Sequence, residues 1–493
     1  MTILELGCGK VEGYSEKGLY IFKGIPYAEP PIGDLRFCPP IPKKPWDGVF
    51  NAKSFGPCAF QGYTQLEELI GKLEPESEDC LTLNIWTPEI DKGKHPVMFW
   101  IHGGSFIFGG SSSPIFDGST LAHRGNVVIV TINYRLGAFG YLYIPGVTAN
   151  VGSLDQILAL KWVHENIALF GGDPNNITIF GESAGAYSVI TLAAMPAAQG
   201  LFHRIIAQSA PIIDPKVDKK PTKTLMRSLG LKTKDIDALR DISPKKIINV
   251  QNEITKNELL AFRPLIDGDT LPVHPLQEFK KGTCKHIDLM IGNNLDEAKL
   301  FTSLDPTVSK INDEKLIIGY IATMLMYNVD KAKSILNKYK NAREGKASNK
   351  PKELLDAIVS DLIFRIPKIR LLEAQSIHQT NTYNYLFTWK TPFLDGKLGA
   401  CHALELPFVF NTLEEPTMKE FVGRKSNLEP LSEKMMDAWI SFAYTGNPNH
   451  NGIPHWSPYN KEKRATLIFD DECKIANALF DEERSAWDGE MEF

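Results

Sequence analysis

The sequence predicts an α/β protein with a large, mostly parallel central sheet that is covered by helices on both faces. From Val97 onward, short and nearly continuous apolar runs rich in Val and Ile recur along the chain, as is typical of strands buried on both faces. An amphipathic helix pattern lies between two of these runs. Such alternation of strand and helix predicts a doubly wound core.

The elements follow in order along the chain. The first ninety or so residues are rich in Gly and Pro and contain short alternating segments such as Gly18–Gly24, which predict small antiparallel strands and turns. The predicted buried strands are Val97–Ile101, Val127–Ile132, Ile177–Phe180, Arg204–Ala207, Ile287–Ile291 and Tyr383–Trp389.

The clearest helix pattern runs from Leu154 to Trp162, where apolar residues recur at helical spacing. Ser153 and Gln156 have the spacing of a capping box at its start, and Gly171-Gly172 marks its end.

Two Lys-rich, helix-patterned stretches, about 215–280 and 309–378, interrupt the alternation. We interpret them as peripheral helices, with the alternative that parts of them cover the active site. No linker or repeat divides the chain, so a single domain spanning residues 1–493, with these helical insertions, is expected.

Composition narrows the function classes. The formal net charge is -5 and no basic arm is present, so nucleic acid is not an expected partner. No apolar run approaches the ~20 residues of a membrane helix, and Met1–Glu5 does not resemble a secretory signal, so a cytoplasmic location is expected. Seven cysteines without zinc-ligand spacing predict no metal, and no cofactor is expected.

The strongest chemical motif is Gly181–Gly185, in which Ser183 lies between a predicted strand and a predicted helix. The G-x-S-x-G pattern alone is weak, but at this position its two glycines allow the sharp turn that exposes a nucleophilic serine. The helix that follows places its N-terminus near the developing negative charge.

A serine nucleophile needs a base, and the chain order in this arrangement is serine, acid, histidine. With an acid near residue 300, four histidines remain as candidates: His378, His402, His450 and His455. Position alone favours His402, which lies in a loop after the strand Tyr383–Trp389, without excluding the others.

The acid candidates follow the strand Ile287–Ile291. Glu297 lies at a strand end, where open α/β sheets gather their sites. Its neighbour Asp296 remains an alternative on pattern, and either carboxylate could simply face solvent at a helix start.

The loop His102–Phe106 follows the strand Val97–Ile101 and is rich in glycine. Such a loop can supply backbone N–H donors for an oxyanion, together with the N–H of Ala184. The competing interpretation is a simple turn.

Together these segments resemble the type-B carboxylesterase/cholinesterase-like family, and most of all its bacterial para-nitrobenzyl esterases. The resemblance covers nearly the whole chain. It rests on Phe22–Ala28, Leu35–Phe37, Ser77–Asn84, Asn133–Gly137, Phe170–Pro174, the serine turn, and Trp439–Pro448.

The resemblance implies an α/β-hydrolase fold and a serine carboxylesterase that acts on small-molecule esters. It implies a catalytic triad of Ser183, Glu297 and His402, and thereby favours Glu297 over Asp296. A carbamate, amide or lactone hydrolase with the same triad is the alternative activity. A catalytically dead adhesion relative is a further alternative, but this chain keeps all three residues.

The same resemblance assigns the oxyanion hole to the backbone of Gly104, Ser105 and Ala184, with Ser105 where the family usually has Gly or Ala. Phe106 is the expected substrate-binding residue.

Secreted members of the family pair two cysteines that correspond to Cys58 and Cys80, but here we expect thiols. The segment between them lacks Trp, the ring that best holds quaternary ammonium. Neutral esters are therefore expected over choline esters, unless Tyr63 or Phe106 restores an aromatic cage.

Overall fold

A computed structural model describes residues 2–62, 71–91, 93–423 and 428–489. One mixed sheet of thirteen strands spans these residues, and its order is β1-β2-β3-β5-β7-β6-β8-β9-β10-β11-β12-β13, with β4 beside β2. The strands are β1 (Thr2–Leu6), β2 (Gly9–Glu16), β3 (Leu19–Pro26), β4 (Val49–Asn51), β5 (Thr82–Thr87), β6 (His95–Ile101), β7 (Val128–Ile132), β8 (Gly172–Glu182), β9 (Arg204–Gln208), β10 (Asp288–Asn294), β11 (Thr382–Phe387), β12 (Thr466–Phe469) and β13 (Lys474–Ala476).

Helices cover both faces of this sheet in the described part of the chain. They are α1 (Ser119–Gly125), α2 (Gly137–Tyr141), α3 (Val151–Asn166), α4 (Ala184–Ala194), α5 (Lys220–Ser228), α6 (Ile236–Arg240), α7 (Pro244–Thr255), α8 (Pro275–Lys281), α9 (Lys299–Leu304), α10 (Glu314–Met324), α11 (Val329–Arg343), α12 (Pro351–Ser360), α13 (Ile366–Ser376), α14 (Leu406–Val409), α15 (Pro416–Val422), α16 (Leu428–Thr445) and α17 (Asp481–Arg484). A π-helical turn, Asp361–Arg365, joins α12 to α13.

The predicted α/β class is confirmed. The strands from β7 to β12 in the sheet order pair in parallel, whereas the N-terminal strands β1, β2, β3 and β5 pair antiparallel. Strands β6, β7 and β11 are buried at every position. This explains why β6 and β7 are nearly continuous apolar runs rather than alternating ones, although β11 keeps two polar residues, Thr382 and Asn384.

The predicted capping box is wrong. Helix α3 begins at Val151 with Asn150 as its N-cap, so Ser153 lies inside the helix, where it is buried beside the hydroxyl of Tyr141. Gln156 instead donates its amide to Ser188 Oγ on α4, at 3.1 Å. Gln156, which the local pattern assigned to a capping box, therefore forms a tertiary contact between α3 and α4 instead.

The two helical stretches form the connections between successive parallel strands. Helices α5 to α8 lie between β9 and β10, and helices α9 to α13 lie between β10 and β11. Each crossover leaves the carboxyl ends of the parallel strands at the same edge of the sheet, where β8, β10 and the loop after β11 converge. In the described residues, no helix is long and apolar enough to cross a membrane.

Candidate active site

Ser183 lies in the turn between β8 and α4, with φ 54° and ψ -120°. Its N–H donates to the carbonyl of Gln208 at 2.8 Å, which fixes this strained backbone against the neighbouring strand. A Cβ on Gly185 would lie 2.0 Å from the Ile101 carbonyl oxygen. The second glycine of the motif is therefore required because the backbone of β6 passes directly beside it.

The structure brings His402 and Glu297 together. Nδ1 of His402 lies 2.6 Å from Oε2 of Glu297, whose side chain has no solvent exposure. The other carboxylate oxygen of Glu297 accepts the N–H of Asn294 at 2.6 Å. The hydrogen bond to Glu297 at Nδ1 makes Nε2 the nitrogen of His402 that can accept a proton.

Asp296, the alternative acid, turns away from the imidazole. Its carboxylate accepts the N–H of Ala400 at 2.9 Å and forms an ion pair with Lys299 at 3.0 Å. The alternative histidines also lie elsewhere. His378 and His455 are exposed, and His450 contacts the Lys434 carbonyl.

Glu182 is a site residue that sequence reasoning missed. Its Oε1 lies 3.0 Å from Nε2 of His402, and among the described residues no hydrogen bond joins this nitrogen to Ser183 Oγ. Its position directly before the nucleophile, at the end of β8, was the available signal. A carboxylate oxygen therefore lies beside the imidazole nitrogen that does not contact Glu297.

Burial and charge shift the pKa values of this pair. Burial raises the pKa of Glu182 to about 8. Burial alone would lower the pKa of His402, but the carboxylates of Glu182 and Glu297 outweigh it and raise the value to about 9. The two groups interact closely enough to titrate as a pair.

A third carboxylate, Glu405, lies beneath the pair. It accepts hydrogen bonds from the side-chain amides of Asn294, at 2.7 Å, and Gln208, at 3.1 Å. Burial raises the pKa of Glu405, and the nearby charge of Glu297 adds to the shift. These bonds tie β9, which pairs with the strand before Ser183, and β10, which precedes Glu297, to the start of the helix that follows His402.

The glycine-rich loop after β6 has the geometry of a donor site. Gly104, Ser105 and Phe106 all have positive φ, at 104°, 53° and 62°. A Cβ on Gly104 would lie 1.9 Å from the Phe108 carbonyl oxygen. In the described part of the chain, the N–H groups of Gly104 and Ser105 donate to no protein atom, and the N–H of Ala184 is the first of helix α4 and has no intrahelical acceptor.

A cavity of about 70 Å³ joins these parts. Gly104, Ser105, Ser183, Glu182 and His402 line it. Its remaining wall is largely apolar and comes from Phe108, Ile115, Phe116, Leu300, Phe301, Leu406, Met418 and Phe421, among others.

The structure does not bring Phe106 to this cavity. Its ring is fully buried and packs on Tyr141 and Tyr187, at centroid distances of 5.0 and 6.0 Å, because its positive φ turns the side chain under the loop. Phe108, two residues later, lines the cavity instead.

Two aromatic rings pack against the imidazole of His402. The ring centroids of Phe301 and Phe364 lie 5.1 and 5.0 Å from that of His402. Phe301 belongs to α9, whereas Phe364 belongs to the π-helical turn inside the second predicted insertion. No residue of 215–280 is among the described residues that line the cavity.

Cys58 and Cys80 are both free and buried. Cys58 Sγ lies 3.4 Å from Ser112 Oγ, and burial raises the pKa of both thiols. Tyr63, considered above for an aromatic cage, lies outside the described residues.

The chain matches known proteins over nearly its full length. The model of the carboxylesterase family matches residues 1–487. The para-nitrobenzyl esterase of Bacillus subtilis (strain 168) is 36% identical over 97% of this chain and 96% of its own. The phenmedipham hydrolase of Pseudarthrobacter oxydans is 37% identical over 96% of each chain.

Solved structures agree with the sequence relatives. A crystal structure of a Geobacillus stearothermophilus carboxylesterase superposes with a TM-score of 0.88 at 37% identity, over 99% of this chain and 100% of that one. A thermophilic para-nitrobenzyl esterase also gives 0.88, at 35% identity over 98% and 99%. The chain belongs to the carboxylesterase family, and it is a serine carboxylic ester hydrolase with the α/β-hydrolase fold.

Proposed function

We propose that Ser183, His402 and Glu297 are the catalytic triad of this esterase, with the backbone N–H groups of Gly104, Ser105 and Ala184 as its oxyanion hole. The observation that carries this proposal is the 2.6 Å contact between His402 Nδ1 and Glu297 Oε2, in a histidine that lines the same cavity as Ser183.

In the first half of the reaction, Ser183 Oγ attacks the ester carbonyl carbon while Nε2 of His402 takes the hydroxyl proton. The carbonyl oxygen becomes an oxyanion, which the free N–H groups of the glycine loop and of helix α4 stabilise. The tetrahedral intermediate collapses, the imidazolium gives its proton to the departing alcohol, and an acyl-enzyme remains.

In the second half, His402 takes a proton from water, which attacks the acyl carbonyl. Collapse of this second intermediate releases the carboxylic acid and returns the proton to Ser183. Glu297 orients the imidazole and stabilises its charged form without accepting the proton.

Substitution tests these roles against matched controls. Ser183→Ala should lower kcat on a short p-nitrophenyl ester by about 10⁴-fold or more with the fold intact. An organophosphonate should label Ser183 in the wild type. A variant that keeps more than about a tenth of wild-type kcat would disprove the nucleophile assignment.

The alternative histidine His378 and the alternative acid Asp296 serve as control positions for His402 and Glu297. His402→Gln and Glu297→Gln should each lower kcat by orders of magnitude with little change in KM, whereas His378→Gln and Asp296→Asn should leave kcat near the wild-type value. Equal losses in Glu297→Gln and Asp296→Asn would contradict the assignment of the acid.

We propose neutral, fairly apolar esters as the preferred substrates. The cavity wall is mostly aliphatic and phenyl, and no tryptophan is among the described residues that line it. Butyrylthiocholine should not exceed an uncharged thioester of matched size in kcat/KM. A preference for the choline compound of more than about tenfold, or roughly 1.4 kcal/mol, would contradict this.

The triad chemistry extends to amides, carbamates and lactones, since all form an acyl-enzyme. One relative is named for hydrolysis of phenmedipham, so a panel of these compounds, phenmedipham included, belongs beside the esters. We also propose one catalytic domain over residues 1–493 with insertions at about 215–280 and 309–378. The free cysteines favour a cytoplasmic location.

A further inference from the structure

A second, smaller cavity lies outside the cavity that Ser183 and His402 line. It holds about 30 Å³, room for one or two water-sized groups. Four of its lining residues carry positive charge and, among the described residues, none of them is acidic. These four are Arg365, Lys368, Arg464 and Arg484.

Lys368, on α13, is the unusual member of this group. Its exposed fraction is 3%. Its ammonium donates to the side-chain oxygen of Asn293 and, at 3.5 Å, to the carbonyl of Tyr385, both of which are neutral. Within the described part of the chain no carboxylate lies at ion-pair distance from it. A buried ammonium without a counter-ion costs several kcal/mol.

The three arginines differ from Lys368 in this respect. Arg365 pairs with Asp361, and Arg464 and Arg484 both pair with Asp481. The aspartates near the cavity thus already form ion pairs with arginines. Lys368 is the cavity-lining cation that has no carboxylate partner among the described residues.

Two more polar side chains line this cavity. Arg464 hydrogen-bonds the hydroxyl oxygen of Tyr459, a residue with 3% exposure. This leaves the O–H of Tyr459 and Nε of Arg464 as buried donors to which the described part of the structure assigns no acceptor. An unmade hydrogen bond of a buried donor costs about 1–3 kcal/mol. The unpaired ammonium and these donors outnumber the one unpartnered acceptor among the described residues of the cavity wall, Oδ1 of Asn384. The wall as a whole therefore lacks an acceptor of negative charge.

We propose that this cavity binds a small inorganic anion, of the size of chloride or nitrate, with Lys368 as its counter-ion and Tyr459 and Arg464 as further donors. A larger phosphate ester does not fit 30 Å³.

The site also has a route to the catalytic acid. Asn293, which accepts the hydrogen bond from Lys368, donates its own amide to the Asn294 carbonyl at 2.7 Å. The N–H of Asn294 in turn donates to Glu297 at 2.6 Å. An anion that keeps Lys368 charged is therefore connected to Glu297, the acid of the proposed triad, through the hydrogen bonds of Asn293 and Asn294.

The anion should bind more tightly at low pH. Burial, together with the charge of Arg365, lowers the pKa of Lys368 to about 7. Because an anion favours the ammonium form, binding takes up a proton and weakens as pH rises above 7. The charged groups that act on Lys368 or line the cavity with it are Arg365 and Asp361 of the π-helical turn, Glu297 after β10, Arg464 before β12, and Arg484 of α17.

Thermal unfolding in sodium bromide, at ionic strength held constant with sodium gluconate, tests the proposal. The wild type should show a saturable rise in Tm at pH 6 that is smaller at pH 9. Lys368→Met keeps the apolar stem and should weaken bromide by about tenfold or more. Lys461→Met, at an exposed lysine, is the matched control and should respond like the wild type.

Two further measurements keep the proposal falsifiable if Lys368→Met does not fold. Tyr459→Phe removes one donor and should weaken bromide, and a bromide-soaked crystal should show an anomalous peak beside Lys368 Nζ. A Tm that does not saturate with bromide, equal responses in wild type and Tyr459→Phe, or no peak at this cavity would each overturn it.

Discussion

Replacing Glu182 with Gln should move the acidic limb of the pH–rate profile to lower pH. The proposed base is neutral His402, so activity should rise as pH passes the pKa of its imidazole. An imidazole in water titrates near 6.5, whereas the carboxylates of Glu182 and Glu297 raise the pKa of His402 to about 9. Glu182 is the stronger of the two raising charges.

The size of the shift follows from the contact. Glu182 Oε1 lies 3.0 Å from His402 Nε2, and an opposite charge at such a distance moves a pKa by about 1–3 units. The Glu182→Gln substitution keeps the shape of the side chain and removes its charge. The sign is fixed because removing a carboxylate destabilises the imidazolium, so the base becomes neutral at lower pH.

The assay is kcat/KM for a p-nitrophenyl ester from pH 5 to 10, which reports the ionisations of the free enzyme. Glu405→Gln is the matched control, since Glu405 is also a buried carboxylate but contributes least to the raised pKa of His402. Its shift should be clearly smaller. An unchanged limb in Glu182→Gln, or equal shifts in both variants, would refute the electrostatic reasoning.

Three further predictions follow from the same geometry. Ser105→Ala should keep most activity because the backbone N–H is the donor, and a loss of about 10²–10³ in kcat would instead assign the hydroxyl to the oxyanion. Gly185→Ala should give little folded protein, as judged by circular dichroism, because its Cβ would lie 2.0 Å from the Ile101 carbonyl. Arg135→Met should lower the free energy of unfolding by about 3–5 kcal/mol in urea titrations, because it leaves Asp155, now paired at 2.6 Å, as a buried lone charge; a smaller loss would mean that Asp155 finds another partner.

The parts of the site that sequence could predict are those with local causes. The strands around the site are apolar on both faces, and the turn at Ser183 needs glycine at Gly185 for a steric reason visible in the motif. Short-range patterns therefore suffice to predict Ser183 as the nucleophile and the loop His102–Phe106 as the source of oxyanion donors. Position alone left His402 among four histidines, and the resemblance to a family was needed to choose it.

The parts that sequence could not predict depend on contacts between distant segments. Glu182 and His402 are 220 positions apart, and no local pattern relates them. Lys368 belongs to a helix of ordinary polarity, where lysine is nearly always solvated. Its ammonium is buried against distant strands, where it donates to Asn293 of β10 and to the Tyr385 carbonyl of β11. Phe106 was expected at the substrate, but it has a positive φ and its ring packs on Tyr141 and Tyr187, while Phe108 lines the cavity.

The active site concentrates backbone strain in residues that are not glycine. Positive φ occurs in the oxyanion loop, at the nucleophile, after the histidine and after β9, at Ser105, Phe106, Ser183, Ala403 and Ser209. Each costs of order 1–3 kcal/mol and persists only where its surroundings impose it. The Phe106 carbonyl accepts the N–H of Gly137 at 2.6 Å, and the Ser183 N–H donates to Gln208 at 2.8 Å. Since the folded core holds these conformations, the proposed oxyanion donors are already oriented without a bound ester, so in the proposed mechanism no free energy is spent on arranging them.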